Sequence, residues 1–560
     1  MAMVREVTRQ QFANSGFGPP VTYENASGSL DFYAKIDYPS SDVILLPDGF
    51  AIAAGTFLYD GVVGADALRR FAVVEDPTAA LRDADGHFAL VLRRGARTLV
   101  LRDRVGAFEV FLDDTLNVIS TSFLAVARTL QRVRGNPQEI YEYVFNGGSL
   151  GNTTPVAGIR RLGFGERLVL DPTPRAEPVE RPSLPPRRTD SAEAASQGIL
   201  QHLLDYTAML GRAFDGRIKL ALSGGYDSRF LLALFRHNGI SPSLFVYGAA
   251  NSPDVLISKR IAAAEGLSLR HIDAAMLPVI SPDVVPSLVA AKFHREDGLP
   301  SGGVFDSNID LVQRADRHEP GYLHVNGGGG EVFRNFFNLL DRGMSLRQFV
   351  WMFYSQYDRN DCVRDFNPAA YEDAVGAKIS ALLGIDKRRL DRREVESLYP
   401  YFRCRSWFGR ENSVNNRFGY SVLPFFERRI VDMALAVPVR QKRFGDFEAR
   451  MIRGAYPALA AHASNYGHSF MADTPLWARV AAFATYSRPL ALRRYGHRIK
   501  ARLQIPDPRP PILMPEFLHR AVAPGLPRMA RYFLVSRVRS SLQFNRIATL
   551  EYLFDQLRAD

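Results

Sequence analysis

The chain has 560 residues, of which 46% are hydrophobic and 23% charged, and its formal net charge is +11. That length exceeds one hydrophobic core and fits two or three domains, and the composition excludes disordered and fibrous classes. Two cysteines, Cys362 and Cys404, exclude a disulfide framework and a Cys-rich zinc site, and point to a reducing cytoplasm.

The opening MAMVREVTRQQF lacks the apolar centre of a signal peptide. No run reaches the roughly 18 apolar residues of a membrane span. A cytoplasmic protein without a membrane partner is therefore expected. The positive excess is mostly scattered arginine, densest after about residue 475. It reads as a solvated, phosphate-friendly surface, and nucleic acid is not expected as a partner.

Residues 1–171 read as β-rich, with short apolar runs between turn signals: VILLPDGFAIAAGTF, GHFALVLRRGARTLVLRDRVG and EVFLDDTLNVIST. The Pro/Arg-rich stretch 172–190, PTPRAEPVERPSLPPRRTD, is expected to be an irregular linker. Beyond it, 191–560 changes pattern. A helix is predicted over Ala192–Leu210, a strand over IKLAL (218–222), and a helix over RFLLALFRH. A second strand, SLFVYG (243–248), precedes a helix SKRIAAAEG and a short strand LRHID. Strands alternating with helices imply parallel β-α units. From about residue 330 onward the chain reads as mostly helical.

The informative element is Leu222-Ser223-Gly224-Gly225-Tyr226-Asp227-Ser228, between a buried strand and a helix. Parallel sheets bind phosphate at the carboxyl ends of strands. Two glycines let the backbone approach an anion, and free N–H groups at the helix start point toward it. Ser223 and Ser228 add hydroxyls. Asp227 would repel phosphate unless a cation lies between them, which suggests Mg2+. The Lys-Ser/Thr ending of Walker A is missing. The same letters also suit a tight turn, a reading that the strand–loop–helix setting disfavours.

With these residues in place, the sequence resembles the asparagine synthetase family of ATP-pyrophosphatases, including β-lactam synthetases and lasso-peptide cyclases. SGGYDS is similar to their pyrophosphate-binding loop. Phe245 to Asp254 resembles the second strand and Ser-Pro-Asp turn, which places the adenine edge on Val246, Tyr247 and Gly248. NGGGGEVFRNF (326–336) resembles the glycine-rich loop that closes over nucleotide and metal, bringing in Gly327, Gly328 and Glu331. LPFFERRIVDMALAVP (423–438) and ARMIRGAYPAL resemble the Pro-Phe-Leu-Asp segment and the arginine-bearing helix after it. DGHFALVL (85–92), RDRVGAFEVFL (102–112) and 151–171 resemble landmarks of the preceding glutaminase domain.

The resemblance implies a two-domain α/β fold. An Ntn-type glutaminase-like β-sandwich would precede a parallel-sheet PP-loop domain, of the adenine-nucleotide alpha-hydrolase-like kind, with a helical extension. It implies ATP and Mg2+, with Asp227 and Glu331 facing the metal, and adenylation of a small-molecule or peptide carboxylate followed by amide formation.

The departures are informative. The family's glutaminase cysteine is absent from the start Met1-Ala2-Met3, so the N-terminal domain is expected to be inactive. The Asp-Glu pair of the glycine loop is Gly330-Glu331, and Glu331 also suits a helix N-terminus. Tyr420 stands where synthetases carry a glutamate, and ASNYGHSF, ending at Phe470, lacks their lysine. Tyr420 and His468 are the candidates for proton handling, His468 with an alternative structural role. Arg453 is a candidate for holding pyrophosphate or an ordinary surface arginine. Trp407, Phe408, Arg410, Asn412, Asn415 and Asn416 are expected to face the substrate. Three functions follow: an adenylating amide ligase that does not hydrolyse glutamine, a diverged nucleotide-binding protein without ligation, or, least expected, a nucleic-acid modifying enzyme with a related loop.

Overall fold

The computed structural model describes residues 2–559 apart from 26–27, 39–41, 183, 274, 276–278, 308 and 494–508. Its N-terminal part is built on an antiparallel sheet. Strands β1 (Val43–Leu46), β2 (Gly49–Tyr59), β3 (Ala84–Arg94) and β4 (Arg97–Arg102) are followed in the chain by β5 (Phe111–Asp113), β6 (Ile119–Ser120) and β7 (Ile159–Arg161). Then come β8 (Glu166–Val169) and β9 (Arg175–Pro178). The larger sheet runs β9-β8-β4-β3-β2-β1, and the smaller runs β7-β5-β6.

Alternation along β3 explains why both faces of the larger sheet are covered. Phe88, Leu90 and Leu92 point into one cluster with Phe57, Leu68 and Phe71, whereas Ala89 points into another with Phe108, Val110 and Leu112. The second cluster carries residues of the smaller sheet, so two sheets face each other.

The stretch expected to be an irregular linker is partly regular. Arg175–Pro178 pairs antiparallel with β8 as an edge strand. An edge needs ladder donors on one side only, so prolines are tolerated there. Arg188 N then donates to Ala436 O at 2.8 Å, tying the stretch to the rest of the chain.

Helix α1 (Ala192–Ala213), N-capped by Ser191, leads into β10 (Ile218–Ala221) and α2 (Tyr226–His237). There follow β11 (Ser243–Tyr247), α3 (Pro253–Glu265), β12 (Leu269–Ile272), β13 (Leu323–Val325) and β14 (Ser421–Val422). These five strands form one all-parallel sheet in the order β12-β11-β10-β13-β14. The mixed α/β architecture with a parallel sheet agrees with the expected fold class. Among the described residues, no helix is long and apolar enough to cross a membrane.

One apolar core, running from Leu58 and Phe123 through Phe230 and Phe425 to Leu553, joins the two parts. Beside it lies a polar cavity of about 270 Å³ lined by Asp85, Gly86, Asp103, Tyr206, Glu427 and Arg428 among others. Glu427 accepts from Tyr206 Oη at 2.8 Å and Gly86 N at 3.0 Å. Burial, with Asp85 nearby, pushes its carboxyl well above the usual range.

Burial pushes Asp85 from 3.8 up to about 6, against the pull of Arg429. The folded state therefore takes up this proton at higher pH than the unfolded chain, so stability falls as pH rises from 3.8 through about 6. Asp85→Asn is expected to flatten that slope and to raise stability above pH 6 by on the order of 1–2 kcal/mol, with little change near pH 4. Denaturant midpoints at the two pH values check it, and an unchanged slope would contradict it.

Candidate functional site

The strand order places the site. The chain enters the parallel sheet at its centre with β10, steps to β11 and β12 on one side, and returns to β13 and β14 on the other. The connections after β10 and β13 therefore leave in opposite directions, opening a crevice at their carboxyl ends. Residues 222–228 follow β10, and residues 326–331 follow β13. Both sequence-predicted glycine loops flank that one crevice.

Glycine is needed because the loops touch. A Cβ at Gly327 would lie 3.1 Å from Asp227 Cβ, and one at Gly330 would lie 2.7 Å from the Asp227 carboxyl carbon. One at Gly328 would lie 2.8 Å from the Phe408 ring. The glycine at 330, where the resemblance leads one to expect an aspartate, thus makes room for the Asp227 carboxylate.

Within the first loop the backbone donors are taken up by oxygen acceptors. Ser223 N donates to Ser228 Oγ at 3.0 Å, Gly225 N to Ser223 Oγ at 3.2 Å, and Gly224 N to Asp254 Oδ1 at 2.8 Å. The two serine hydroxyls lie 2.8 Å apart. Leu222 is buried, and its N–H donates to Phe245 O at 2.9 Å, holding the loop to the sheet. The Asp254 carboxylate stands where an anionic acceptor at the loop would stand.

On the β12 side, Leu244 N of β11 donates to Ser268 O and Gly248 N, just past β11, donates to Ile272 O, while Phe245 O accepts from Leu222 N beside β10. By this alternation the backbone of Tyr247 faces the β10 side, past the end of that strand, whereas Val246 and Gly248 face β12. Gly248 O also accepts from His271 Nε2 at 2.8 Å. Of the residues expected to read adenine, Tyr247 thus presents its backbone toward the crevice side.

The charged centre is an arginine among three carboxylates. Arg334 Nη2 donates to both oxygens of Asp227 at 2.9 Å, Nε lies 3.1 Å from Glu448 Oε2, and Glu331 is 3.8 Å away. The guanidinium sits 5.4 Å from the centre of the Tyr226 ring, which stacks on Phe470 at 4.1 Å. Glu331 accepts from the buried Tyr399 hydroxyl.

Glu448, on α4 (Asp446–Ala455), is wholly buried, and burial together with Asp227 pushes its carboxyl well up. Partial desolvation likewise raises Asp227, against the pull of Arg334. For Arg334, burial works against the charge, but Asp227, Glu448 and Glu331 outweigh it and raise its pKa. Arg334 is charged throughout the physiological range.

Asp227 and Glu331 do come together, but the cation between them is a guanidinium. Both Asp227 oxygens and one Glu331 oxygen already have donors. Among the described residues no group of three His, Cys, Asp or Glu side chains is arranged to hold a metal ion. The donor set present does not fit magnesium.

The segment ending at Phe470 also belongs here. Asn465 N donates to Gly224 O at 3.1 Å, and Asn465 Nδ2 donates to Asp254. Fully buried Arg229 holds the carbonyls of His462 and Ala463 at 2.8 and 2.7 Å. His468 is half-buried near Tyr466, but its Nδ1 lies 2.9 Å from Ser469 O. Arg453 donates to Phe470 O at 3.0 Å, and so anchors this segment.

Tyr420 requires a correction. It precedes β14, at the opposite end of the parallel sheet, where its hydroxyl donates to Asp42 Oδ1 at 2.7 Å and Lys35 lies 4.7 Å from its ring centre. It cannot handle a proton at the loop. Arg410, Asn415 and Asn416 are also ties within the fold, bonding Glu109, Arg314 and Thr56 respectively, and Asn412 is buried with them. Trp407, by contrast, is exposed, and Phe408 abuts Gly328.

The residues that sequence reasoning missed are Arg334, Glu448 and Asn465. Arg334 lies inside the glycine-rich motif, but its partners are distant in the chain. No protein-family model and no curated protein matches this chain.

Gly330→Ala is expected to lower stability by about 1–3 kcal/mol, because the added Cβ overlaps the Asp227 carboxylate. In Asp227→Ala the same glycine substitution should cost less, by at least about 0.5 kcal/mol. A double-mutant cycle from urea melts measures the difference, and strict additivity would contradict the contact.

Proposed function

We propose that the crevice between β10 and β13 binds ATP and that the chain uses it to adenylate a substrate carboxylate for amide formation. The observation that carries this reading is the convergence of residues 222–228 and 326–331 at the reversal of strand order. On this reading 191–560 is an asparagine synthetase-like ATP-pyrophosphatase domain. The two facing N-terminal sheets are a glutaminase-like domain that supplies no ammonia.

The chemistry is an exchange of anhydride bonds. A carboxylate oxygen attacks the α-phosphorus, the bond to pyrophosphate breaks, and acyl-AMP forms. An amine nitrogen then attacks the acyl carbon, AMP leaves with the bonding pair, and the ammonium proton passes to solvent or to a base. The loop amides of Ser223, Gly224 and Gly225 become phosphate donors when Ser228, Asp254 and Ser223 release them. Those acceptors are side-chain oxygens, and rotation of a few χ angles is sufficient.

The closed state of these donors also favours a second reading, a nucleotide-binding protein that performs no ligation. Tyr420 lies elsewhere, and His468 Nδ1 is engaged with its neighbour's carbonyl. No side chain in the crevice is thereby assigned as the base for the second step.

Carboxylate-dependent exchange of labelled pyrophosphate into ATP distinguishes the two. Under the first reading exchange occurs with at least one member of a broad acid panel, and Ser228→Ala slows it roughly tenfold or more by removing a loop hydroxyl that donates to phosphate. Calorimetric ATP binding without exchange across the panel would establish the second.

A further inference from the structure

Asp227 is the carboxylate of the first loop, and a carboxylate beside phosphate needs a positive charge between them. The structure supplies that charge from the chain itself. Arg334 contacts both Asp227 oxygens through Nη2 and Glu448 through Nε, with Glu331 3.8 Å from the same Nη2. Among the described residues its remaining nitrogen, Nη1, makes only a 3.5 Å contact to the Tyr466 hydroxyl.

Three features fix the guanidinium in place. Glu448 is wholly buried, and its carboxyl lies 3.1 Å from Nε. The face of Tyr226 backs the guanidinium, and Tyr226 is itself stacked on Phe470. Gly330 leaves the Asp227 carboxylate free to meet Arg334, because a side chain there would collide with it. The acid missing at 330 and the arginine present at 334 are parts of one arrangement.

We propose that Arg334 is the resident cation of this site, taking the place of a divalent metal, so that a phosphate group bound there meets a guanidinium through Nη1 and needs no metal ion. Arg334 is a binding and positioning residue on this view. The part concerning phosphate rests on the ATP reading above, whereas the part concerning the cation does not. A planar, permanently charged guanidinium suits both carboxylate and phosphate oxygens.

Mn2+ binding to the full chain, followed by electron paramagnetic resonance, tests the cation. The wild-type chain is expected to show no Asp227-dependent Mn2+ site. Arg334→Gln, which takes the guanidinium away from both Asp227 oxygens, is expected to bind Mn2+ about tenfold tighter or more, and the gain should vanish in the Arg334→Gln/Asp227→Asn double variant. Arg334→Lys keeps the charge and should remain as the wild type, which controls for loss of the fold along with thermal melts.

Mn2+ binding by the wild type that Asp227→Asn abolishes would overturn the proposal. So would a folded Arg334→Gln with no gain. If Arg334→Gln does not fold, the wild-type and Asp227→Asn pair decides alone. Calorimetry with ATP then compares EDTA with magnesium: equal affinity supports the phosphate part, and affinity about tenfold weaker in EDTA overturns it. Absence of ATP binding in both would defeat the ATP reading and the phosphate part with it, and leave the cation part to the Mn2+ result.

Discussion

Two loop backbones meet where β10 and β13 part, and the space between them is too small for a side chain. That close approach is the constraint on which the site depends. It leaves no room for a Cβ at 330 and little at 327, sets Asp227 against the second loop, and brings Arg334 within reach of both. A parallel sheet that reverses direction at its centre creates the crevice, and the glycines determine how closely its walls can approach.

Charge then organises the walls. Three carboxylates from three segments converge on one guanidinium, a cluster that would be costly if any partner were missing. Burial favours a proton on Glu448, while Arg334 favours the ionised state of its partners. The outcome is a centre in which three carboxyl groups share one guanidinium, backed by aromatic faces and by the turn that Arg229 anchors. The same centre explains why an aspartate at 330 would be out of place.

The N-terminal sheets are bound closely to this arrangement. They share a continuous apolar core with the parallel-sheet part, and Glu109, on the N-terminal side, pairs with both Arg161 and Arg410. Those buried pairs account for polar residues at 410–416 that the sequence alone suggests for a substrate surface. The polar cavity beside Glu427 lies on the same boundary, so its charge state bears on how the two parts hold together.

Much of this was legible in the sequence because it is local. Alternating apolar residues specify β3, the 3.6-residue period and capping serine specify α1, and SGGYDS after a β run marks a strand–loop–helix turn. What depends on distant residues was not legible. The edge strand Arg175–Pro178 exists because β8 offers a partner, Tyr420 lies at the far end of the sheet because β14 runs parallel to β13, and Arg334 finds Asp227 and Glu448 across more than a hundred residues each. Strand order and charge pairing are properties of the packed chain. The sequence by itself determined the elements and the glycine loops, and only tertiary structure decided which cation stands between them.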